Sequence, residues 1–182
     1  VTLDDCSVIP FGAADKDFEI LNKADLTNSF FDASDEIVNI VYVGRGGHDM
    51  AQAAHGLFSA FARGLKEKPE VFEAVRMNFI GTSYAEAGEG KKTFAPIAAT
   101  HGVADYIAEQ TVRVPYFEAL NLMRQADMLV LPGSDDPNYT ASKLYPYILS
   151  RTPLLAIFRQ QSSVVNILDA TGAGRIVSFS AD

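Results

Sequence analysis

Residues 111–153 read TVRVPYFEALNLMRQADMLVLPGSDDPNYTASKLYPYILSRTP, and this stretch decides the fold. Near its start, residues 112–114 form a short β-branched run that stops at Pro115, and a helical spacing of apolar residues follows. A second apolar run at 127–131 stops at Pro132, and a polar loop then leads into another helical pattern. Two strands that each end at a proline and continue into a helix predict strand ends that face a common pocket.

Apolar runs of strand length recur along the whole chain. Nearly uninterrupted runs rich in Val and Ile are typical of parallel strands that are covered on both faces. The runs lie at residues 37–44, 76–81, 111–114, 127–131, 154–158 and 175–179. Because helical patterns separate them, the sequence predicts an α/β fold, a doubly wound and mostly parallel Rossmann-like sheet of about six strands with helices on both faces.

Helical spacing is clearest after the first run. An apolar stripe typical of a helix packed on a sheet is formed by Met50, Ala53, Ala54, Leu57, Phe58, Phe61 and Leu65. Shorter stripes of the same spacing lie at residues 119–126 and 141–149. We expect Ser162 and Gly172 to cap the start and the end of a last helix.

The composition is that of an acidic globular domain. The 182 residues are 48% hydrophobic and 21% charged, which suffices for the core of one compact domain. The net charge of -8 argues against a nucleic-acid surface, because phosphate backbones are bound by clustered Lys and Arg. The single cysteine, Cys6, cannot form an internal disulfide, and no apolar run is long enough to span a bilayer, so we expect a cytoplasmic protein.

Several short motifs together resemble the C-terminal domain of GT-B glycosyltransferases, especially those of family 4. In that family a strand ends at a proline, a helix opens with Ser-Lys-Leu-Tyr, and a small-residue turn precedes Thr-Pro. Here these are Pro132, Ser142-Lys143-Leu144-Tyr145 and Thr152-Pro153. Residues 6–18 also resemble the segment with which this half of the transferases begins. The resemblance covers nearly the whole chain and implies one half of a GT-B fold that binds a nucleotide-sugar donor.

The resemblance also implies how the chain is divided. Residues 1–36 would be an opening segment and connection within the same domain, and residues 37–182 would form the Rossmann-like nucleotide-sugar-binding domain. We expect the N-terminal domain, which binds the sugar or lipid-linked acceptor, to be absent from this chain. The fragment would then bind nucleotide weakly and transfer no sugar. The usual setting of the family is surface polysaccharide or glycoconjugate synthesis at the inner face of the membrane, with which the full protein would associate peripherally.

The first predicted strand runs into a glycine-rich turn, Gly44-Arg45-Gly46-Gly47, and a helix is predicted to begin near Asp49. Glycines let a backbone approach a ligand closely, and the amides and positive dipole end of a helix attract a diphosphate. Arg45 would add forked hydrogen bonds to phosphate oxygens. A Gly-Arg pair follows the first strand of the donor domain in the GT-B family, although a turn that needs glycine only for its shape is the alternative.

Lys143 and Ser142 lie where the helix beyond the fourth strand is predicted to open. The Lys143 ammonium would face the same pocket as Arg45 if the sheet order reverses between the first and fourth strands. In the family this motif contacts the nucleotide diphosphate or ribose. Arg45 and Lys143 are therefore the predicted catalytic residues, which would stabilise charge on the departing diphosphate. A solvated lysine in a first helical turn is the alternative for Lys143.

Further donor-binding residues are predicted at the other strand ends. They are Gly81, Thr82, Val114, Tyr116 and Arg159. The resemblance assigns the backbone near Val114 to recognition of the base, on which Tyr116 would stack. An aromatic side chain in that place is more often a packing anchor, and an exposed arginine is the alternative for Arg159.

Two glutamates of the family are missing. Alignment on Thr152-Pro153 places Asn138 and Pro146 at their positions. Pro146 offers no side-chain acceptor and no backbone donor, so a carboxylate that binds ribose in the family is lost. Asp135 or Asp136 could replace it, or both could be loop residues that face water.

Other ligand classes fit the sequence less well. A dinucleotide fingerprint needs glycine where Asp49 stands, and residues 88–93 (GEGKKT) lack the first glycine and the Ser or Thr of a P-loop. His48, His55 and His101 show no metal-ligand spacing, so we expect neither a metal nor another cofactor. Two alternatives to a transferase stay open. One is a noncatalytic or degenerate nucleotide-binding or assembly module, and the other is an NAD-binding oxidoreductase domain.

Overall fold

The structure is a computed structural model that describes residues 5–7, 9, 11–32, 36–86 and 88–180. Its strands are β1 (Val38–Val43), β2 (Val75–Ile80), β3 (Ile107–Gln110), β4 (Met128–Pro132), β5 (Leu154–Arg159) and β6 (Arg175–Phe179). They form one six-stranded sheet in the order β3-β2-β1-β4-β5-β6, and every neighbouring pair is parallel. The predicted α/β fold is confirmed. Within the predicted opening motif, Val8 and Pro10 lie outside the described residues.

Helices connect the strands. They are α1 (Asp15–Leu21), α2 (Ala51–Glu67), α3 (Pro69–Phe72), α4 (Phe94–Thr100), α5 (Tyr116–Gln125), α6 (Leu144–Leu149) and α7 (Ser163–Thr171), with short 3-10 turns at His48–Met50 and Ala104–Tyr106. The chain builds the sheet outward from β1 in one direction and then from β4 in the other. Right-handed crossovers in the two directions place helices on opposite faces of the sheet. No helix of the described residues is long and apolar enough to cross a membrane.

The centre of the sheet is buried on both faces. Val41 and Tyr42 of β1, and Leu129 and Val130 of β4, are all fully buried. This is the burial that their continuous apolar runs predict, because a strand covered on both faces has no solvent side for polar residues. β1 and β4 are neighbours although two strands separate them in the sequence, so the strand order reverses between them.

The third strand was predicted at residues 111–114, and this was wrong. The strand is β3, Ile107–Gln110, and residues 112–114 belong to the loop that follows it. The backbone carbonyl of Gln110 accepts hydrogen bonds from the amides of Gly81 and Thr82, which closes the pairing with the end of β2. The strand was predicted too late in the sequence because β-branched residues are typical of strands, whereas Glu109 and Gln110 are polar.

The predicted helices are confirmed with one change of boundary. The stripe that ends at Leu65 lies on α2, except that Met50 lies in the 3-10 turn before it, and most of its residues are buried. The Ser162 hydroxyl accepts a hydrogen bond from the Val164 amide at the start of α7. Gly172 ends that helix in the left-handed conformation, with φ of 63°. The helix beyond β4 is shorter than expected, because α6 begins at Leu144.

A buried carboxylate explains how the polar β3 stays in the sheet. Glu109 accepts hydrogen bonds from the Thr82 hydroxyl at 2.8 Å and from the amides of Thr93, Phe94 and Ala95 at 2.9, 3.0 and 2.7 Å. Three of these donors are the open amides at the start of α4, which Thr93 itself does not cap with its side chain. Glu109 therefore caps a helix from a neighbouring strand and fixes the loop after β2.

We expect Glu109→Ala to lower the free energy of unfolding by about 3 kcal/mol, because it leaves several buried donors without an acceptor. Glu109→Gln keeps one acceptor oxygen and should cost less. Urea denaturation followed by circular dichroism measures both variants. Glu19→Ala, on an exposed position of α1, is the control for loss of a glutamate. Equal midpoints for Glu109→Ala and the control would show that this network does not stabilise the fold.

Candidate functional site

A cleft of about 500 Å³ opens at the carboxyl ends of β1 and β2. Its lining includes Val43 and Ile80, the last residues of these strands, and residues at the starts of α5 and α6. β2 and β4 lie on opposite sides of β1, so the cleft lies where the strand order reverses. Parallel α/β sheets bind their ligands at such a point.

The cleft brings together most of the predicted site residues. Those that line it are Gly44, Arg45, Gly81, Val114, Tyr116, Ser142 and Lys143. The predicted residues outside its lining are Gly46, Gly47, Thr82 and Arg159. Arg45 and Lys143, which come from opposite sides of the point where the strand order reverses, therefore share one cleft.

The Lys143 ammonium is held on the hydroxyl of Tyr42, a buried residue of β1. Lys143 Nζ donates to Tyr42 Oη at 2.7 Å, and the Tyr42 hydroxyl donates to the carbonyl of Arg45 at 2.6 Å. The ammonium also lies 4.8 Å from the centre of the Tyr42 ring. A side chain at Gly44 would collide with Lys143 Nζ, so this close approach requires glycine.

The start of α6 is fixed to the end of β1 by a second tyrosine. The Tyr147 hydroxyl accepts a hydrogen bond from the Val43 amide at 2.7 Å and donates to the Val43 carbonyl at 3.1 Å. Tyr147 is fully buried, and this pairing satisfies its hydroxyl. Because Lys143 immediately precedes α6, the Tyr147 contact sets the position from which the lysine reaches into the cleft.

Lys143 is an unusual lysine electrostatically. Its pKa is lowered to about 7, chiefly because burial removes the ammonium from water and also because Arg45 and Arg113 carry like charge. Asp49 acts in the opposite direction. A bound anion would favour the charged ammonium, so anion binding at this cleft near neutral pH should be accompanied by proton uptake.

Arg45 is already paired within the protein. Its guanidinium donates from Nη1 to Asp49 Oδ1 at 2.9 Å and from Nη2 to Asp49 Oδ2 at 2.6 Å, and it lies 5.4 Å from the centre of the Tyr139 ring. These hydrogen bonds raise the pKa of the Arg45 guanidinium and lower the pKa of the Asp49 carboxyl to about 2. The forked bonds that the sequence analysis assigned to phosphate are made to Asp49.

The glycine-rich turn is more closely packed than the sequence suggests. The amide of Gly44 donates to the Ile80 carbonyl at 2.9 Å, and the amide of Gly46 donates to the Thr82 carbonyl at 2.7 Å. These two amides are therefore occupied within the protein. A side chain at Gly46 would collide with the Thr93 hydroxyl, so the glycine there serves packing.

Thr82 and Arg159 have structural partners instead of a place in the cleft lining. The Thr82 hydroxyl is buried and donates to Glu109. Arg159 Nη1 donates to the Asp135 carbonyl at 2.6 Å, which joins the ends of β4 and β5. Tyr116 keeps an exposed ring beside the cleft, while its hydroxyl donates to Asp17 at 2.7 Å and so joins α5 to α1.

The structure adds two cleft residues that the sequence analysis missed, Arg113 and Tyr84. The Arg113 guanidinium lies 4.9 Å from the centre of the exposed Tyr84 ring, and both residues line the cleft. Arg113 lies between the β-branched residues 112 and 114, within the predicted strand 111–114. Once β3 ends at Gln110, Arg113 lies in the loop beyond the strand, where ligand-facing residues of parallel sheets occur.

The described lining of this cleft is free of acidic side chains. No Asp or Glu is among the described residues that line it, whereas Pro146 does line it. The proposed replacements Asp135 and Asp136, like Asn138, are exposed and lie outside its lining. The predicted ribose carboxylate therefore has no substitute in the described part of the cleft.

The histidines do not gather around a common centre with acidic residues. His55 and His101 come together on the surface, with their ring nitrogens 2.9 Å apart, which their separation in the sequence does not suggest. Within the described ranges, no group of three or more His, Cys, Asp or Glu residues could hold a metal ion. His48, which directly follows the glycine-rich turn, is exposed and lies outside the cleft lining.

Solved structures resemble this fold. WaaG, a glycosyltransferase involved in lipopolysaccharide biosynthesis, matches over 93% of this chain and 41% of its own, with 14% identity and a TM-score of 0.58. OtsA in its apo form matches over 92% and 39%, with 13% identity and a TM-score of 0.62. The UDP-forming trehalose-phosphate synthase from Burkholderia vietnamiensis matches over 93% and 40%, with 12% identity and a TM-score of 0.64. No family model and no curated protein matches the sequence.

The chain has the fold of one half of a GT-B glycosyltransferase. It spans about 40% of the length of the three solved structures described above. At identities of 12–14% the likeness shows the fold alone.

We expect Lys143→Met to raise the stability of the domain near pH 7. The unfolded chain holds the lysine proton up to about pH 10, whereas the folded-state pKa is about 7. Burial of the Lys143 ammonium therefore lowers the free energy of unfolding by its full amount below pH 7. This loss becomes smaller as the pH rises from about 7 toward 10. Denaturation midpoints measured across this range should differ most at pH 7 and converge at higher pH. Lys66→Met is the control for loss of an exposed lysine, and a gap for Lys143→Met that widens with pH would contradict the lowered pKa.

Proposed function

We propose that this domain binds the nucleoside-diphosphate part of a nucleotide-sugar, and that it belongs to a longer glycosyltransferase that transfers a hexose-type sugar to an acceptor. The observation that supports this most strongly is the charge of the cleft. In a chain of net charge -8, the cleft is lined by Arg45, Arg113 and Lys143 and by no described carboxylate. Of these three cations, Arg45 is paired with Asp49, and Arg113 and Lys143 form no ion pair among the described residues. A concentration of positive charge against the overall charge of the protein favours a small anionic ligand.

The shape and chemistry of the cleft suit a nucleotide. Arg45 lies in the glycine-rich turn, Lys143 just before α6 and Arg113 in the loop after β3. The exposed ring of Tyr116 and the half-buried Ala119 lie along α5. A flat aromatic base packs well against such a surface, while phosphates need the cations. The volume of about 500 Å³ lies within the range of small-molecule sites.

The solved structures support the same ligand class. One structure that this fold matches, with a TM-score of 0.54 and 15% identity, was determined with bound UDP-2-fluoro glucose. For the present chain we infer a nucleotide-sugar donor from the charge of its own cleft, and the solved complex supports the same ligand class.

In the proposed reaction, the cleft stabilises the departing diphosphate. The bond between the sugar and the diphosphate breaks as the acceptor attacks, and negative charge grows on the diphosphate oxygens. The positive charges that line the cleft, with Lys143 fixed by Tyr42, would lower the energy of that charge in a partly desolvated site. These side chains supply positive charge, so we propose a donor site that needs no metal cofactor, with the acceptor bound by another domain. We place the reaction in the cytoplasm, at the inner face of the membrane, in surface polysaccharide or glycoconjugate synthesis.

A second candidate function is a noncatalytic Rossmann-like module. Pro146 lines the cleft and can neither accept nor donate a side-chain hydrogen bond, so the ribose of a nucleotide lacks one expected anchor there. If this loss has removed donor binding altogether, the domain serves assembly. Nucleotide binding separates the two candidates.

Calorimetric titration with UDP, GDP and NAD tests the proposal. We expect UDP or GDP to bind and NAD not to bind. We expect Lys143→Met to lower the affinity for the diphosphate by about tenfold or more, because a charge-assisted hydrogen bond is lost. Gly44→Ala should weaken it similarly, because the added methyl group would displace the ammonium. Gly56→Ala, where an added methyl group meets nothing, is the control. Failure of both diphosphates to bind the parent domain would favour the noncatalytic module.

A further inference from the structure

We propose that Arg113, held over the ring of Tyr84, is the guanidinium that binds the diphosphate opposite Lys143, and that Arg45 stays paired with Asp49. This inference rests on the proposed function, because it assigns the anion-binding residues of the same cleft. It differs from the sequence-based expectation, in which Arg45 and Lys143 act together.

Arg45 and Arg113 differ in the contacts that each would lose on binding a phosphate. Arg45 makes two short hydrogen bonds to Asp49 and lies against Tyr139, in a partly buried position. If Arg45 turned to a phosphate, the Asp49 carboxylate would lose its only described ion pair and would lie near a second anion. Breaking a partly buried, forked pair of this kind is costly.

Arg113 has no such attachment. Among the described residues it forms no ion pair, and its guanidinium rests 4.9 Å from the centre of the Tyr84 ring. Both side chains are exposed. A cation over an exposed ring is held weakly, so an anionic ligand would draw Arg113 away at little cost.

The position of Arg113 fits a role opposite Lys143. Arg113 follows β3, on the β2 side of the cleft, whereas Lys143 precedes α6, on the β4 side. Its backbone lies against the end of β2, where a side chain at Gly81 would be 3.5 Å from the Arg113 Cα. The positive charge of Arg113 acts on the Lys143 ammonium across the cleft. An anion between the two cations would relieve this repulsion and be held from both walls.

The geometry also gives the Arg45–Asp49 pair a different task. The carbonyl of Arg45 accepts the hydrogen bond from the Tyr42 hydroxyl that leaves Tyr42 free to accept from Lys143. With its side chain fixed on Asp49, Arg45 holds this carbonyl in place. Arg45 is therefore a positioning residue for Lys143, and Arg113 is the residue that meets the ligand.

Calorimetric titration of the domain with UDP, GDP and inorganic pyrophosphate tests the inference. We expect Arg113→Ala to lower the affinity for pyrophosphate, and for whichever nucleotide binds, by about tenfold or more. Arg113→Lys should recover only part of this affinity, because lysine cannot make a forked contact. Arg175→Ala, on an exposed position of the edge strand β6, is the matched arginine control, and denaturation midpoints establish that each variant is folded.

The other outcomes are distinguishable. Unchanged binding by Arg113→Ala, with loss in Arg45→Gln, would overturn the inference and leave the proposed function intact. Loss of nucleotide binding by Arg113→Ala with pyrophosphate unaffected would place Arg113 at the base and also overturn it. A parent domain that binds neither nucleotides nor pyrophosphate would reject the proposed function, and the inference with it.

Discussion

The cleft depends on one partly buried contact, the hydrogen bond from the Lys143 ammonium to the hydroxyl of Tyr42. Tyr42 is anchored in the centre of the sheet, and its own proton is directed to the carbonyl of Arg45. The ammonium is thereby held above the end of β1 with too little water to stabilise its charge, which lowers its pKa to about 7. An anion that enters the cleft stabilises an ammonium in this state more than it would stabilise a hydrated one. The unfavourable burial of Lys143 is therefore typical of a binding site.

The rest of the architecture supports that contact. The reversal of strand order brings β1 and β4 together, and the Tyr147 hydroxyl ties the start of α6 to Val43. Glycine at position 44 leaves the space that the ammonium occupies. On the other wall, the Glu109 network fixes the loop after β2, beside the segment that carries Arg113. Residues with no role in binding a ligand thus determine where the charged groups can lie.

Much of this fold could be predicted from the sequence, because continuous apolar runs and helical stripes report burial directly. The third strand could not, since its polar residue Glu109 is buried by contacts with Thr82 and with the start of α4, which are distant in the sequence. That error concealed Arg113, which seemed to lie within a strand. Lys143 could be singled out from its motif, but its contact with Tyr42 joins residues 101 positions apart and has no local signal.

The central claim is that a diphosphate occupies the cleft at the Lys143 ammonium. A crystal structure of the domain with bound UDP or GDP tests it most directly. We expect phosphate oxygens within about 3 Å of Lys143 Nζ, the usual length of a charge-assisted hydrogen bond, with the base along α5. A nucleotide bound elsewhere on the domain, with the Lys143 ammonium still on Tyr42 and no anion beside it, would contradict the claim.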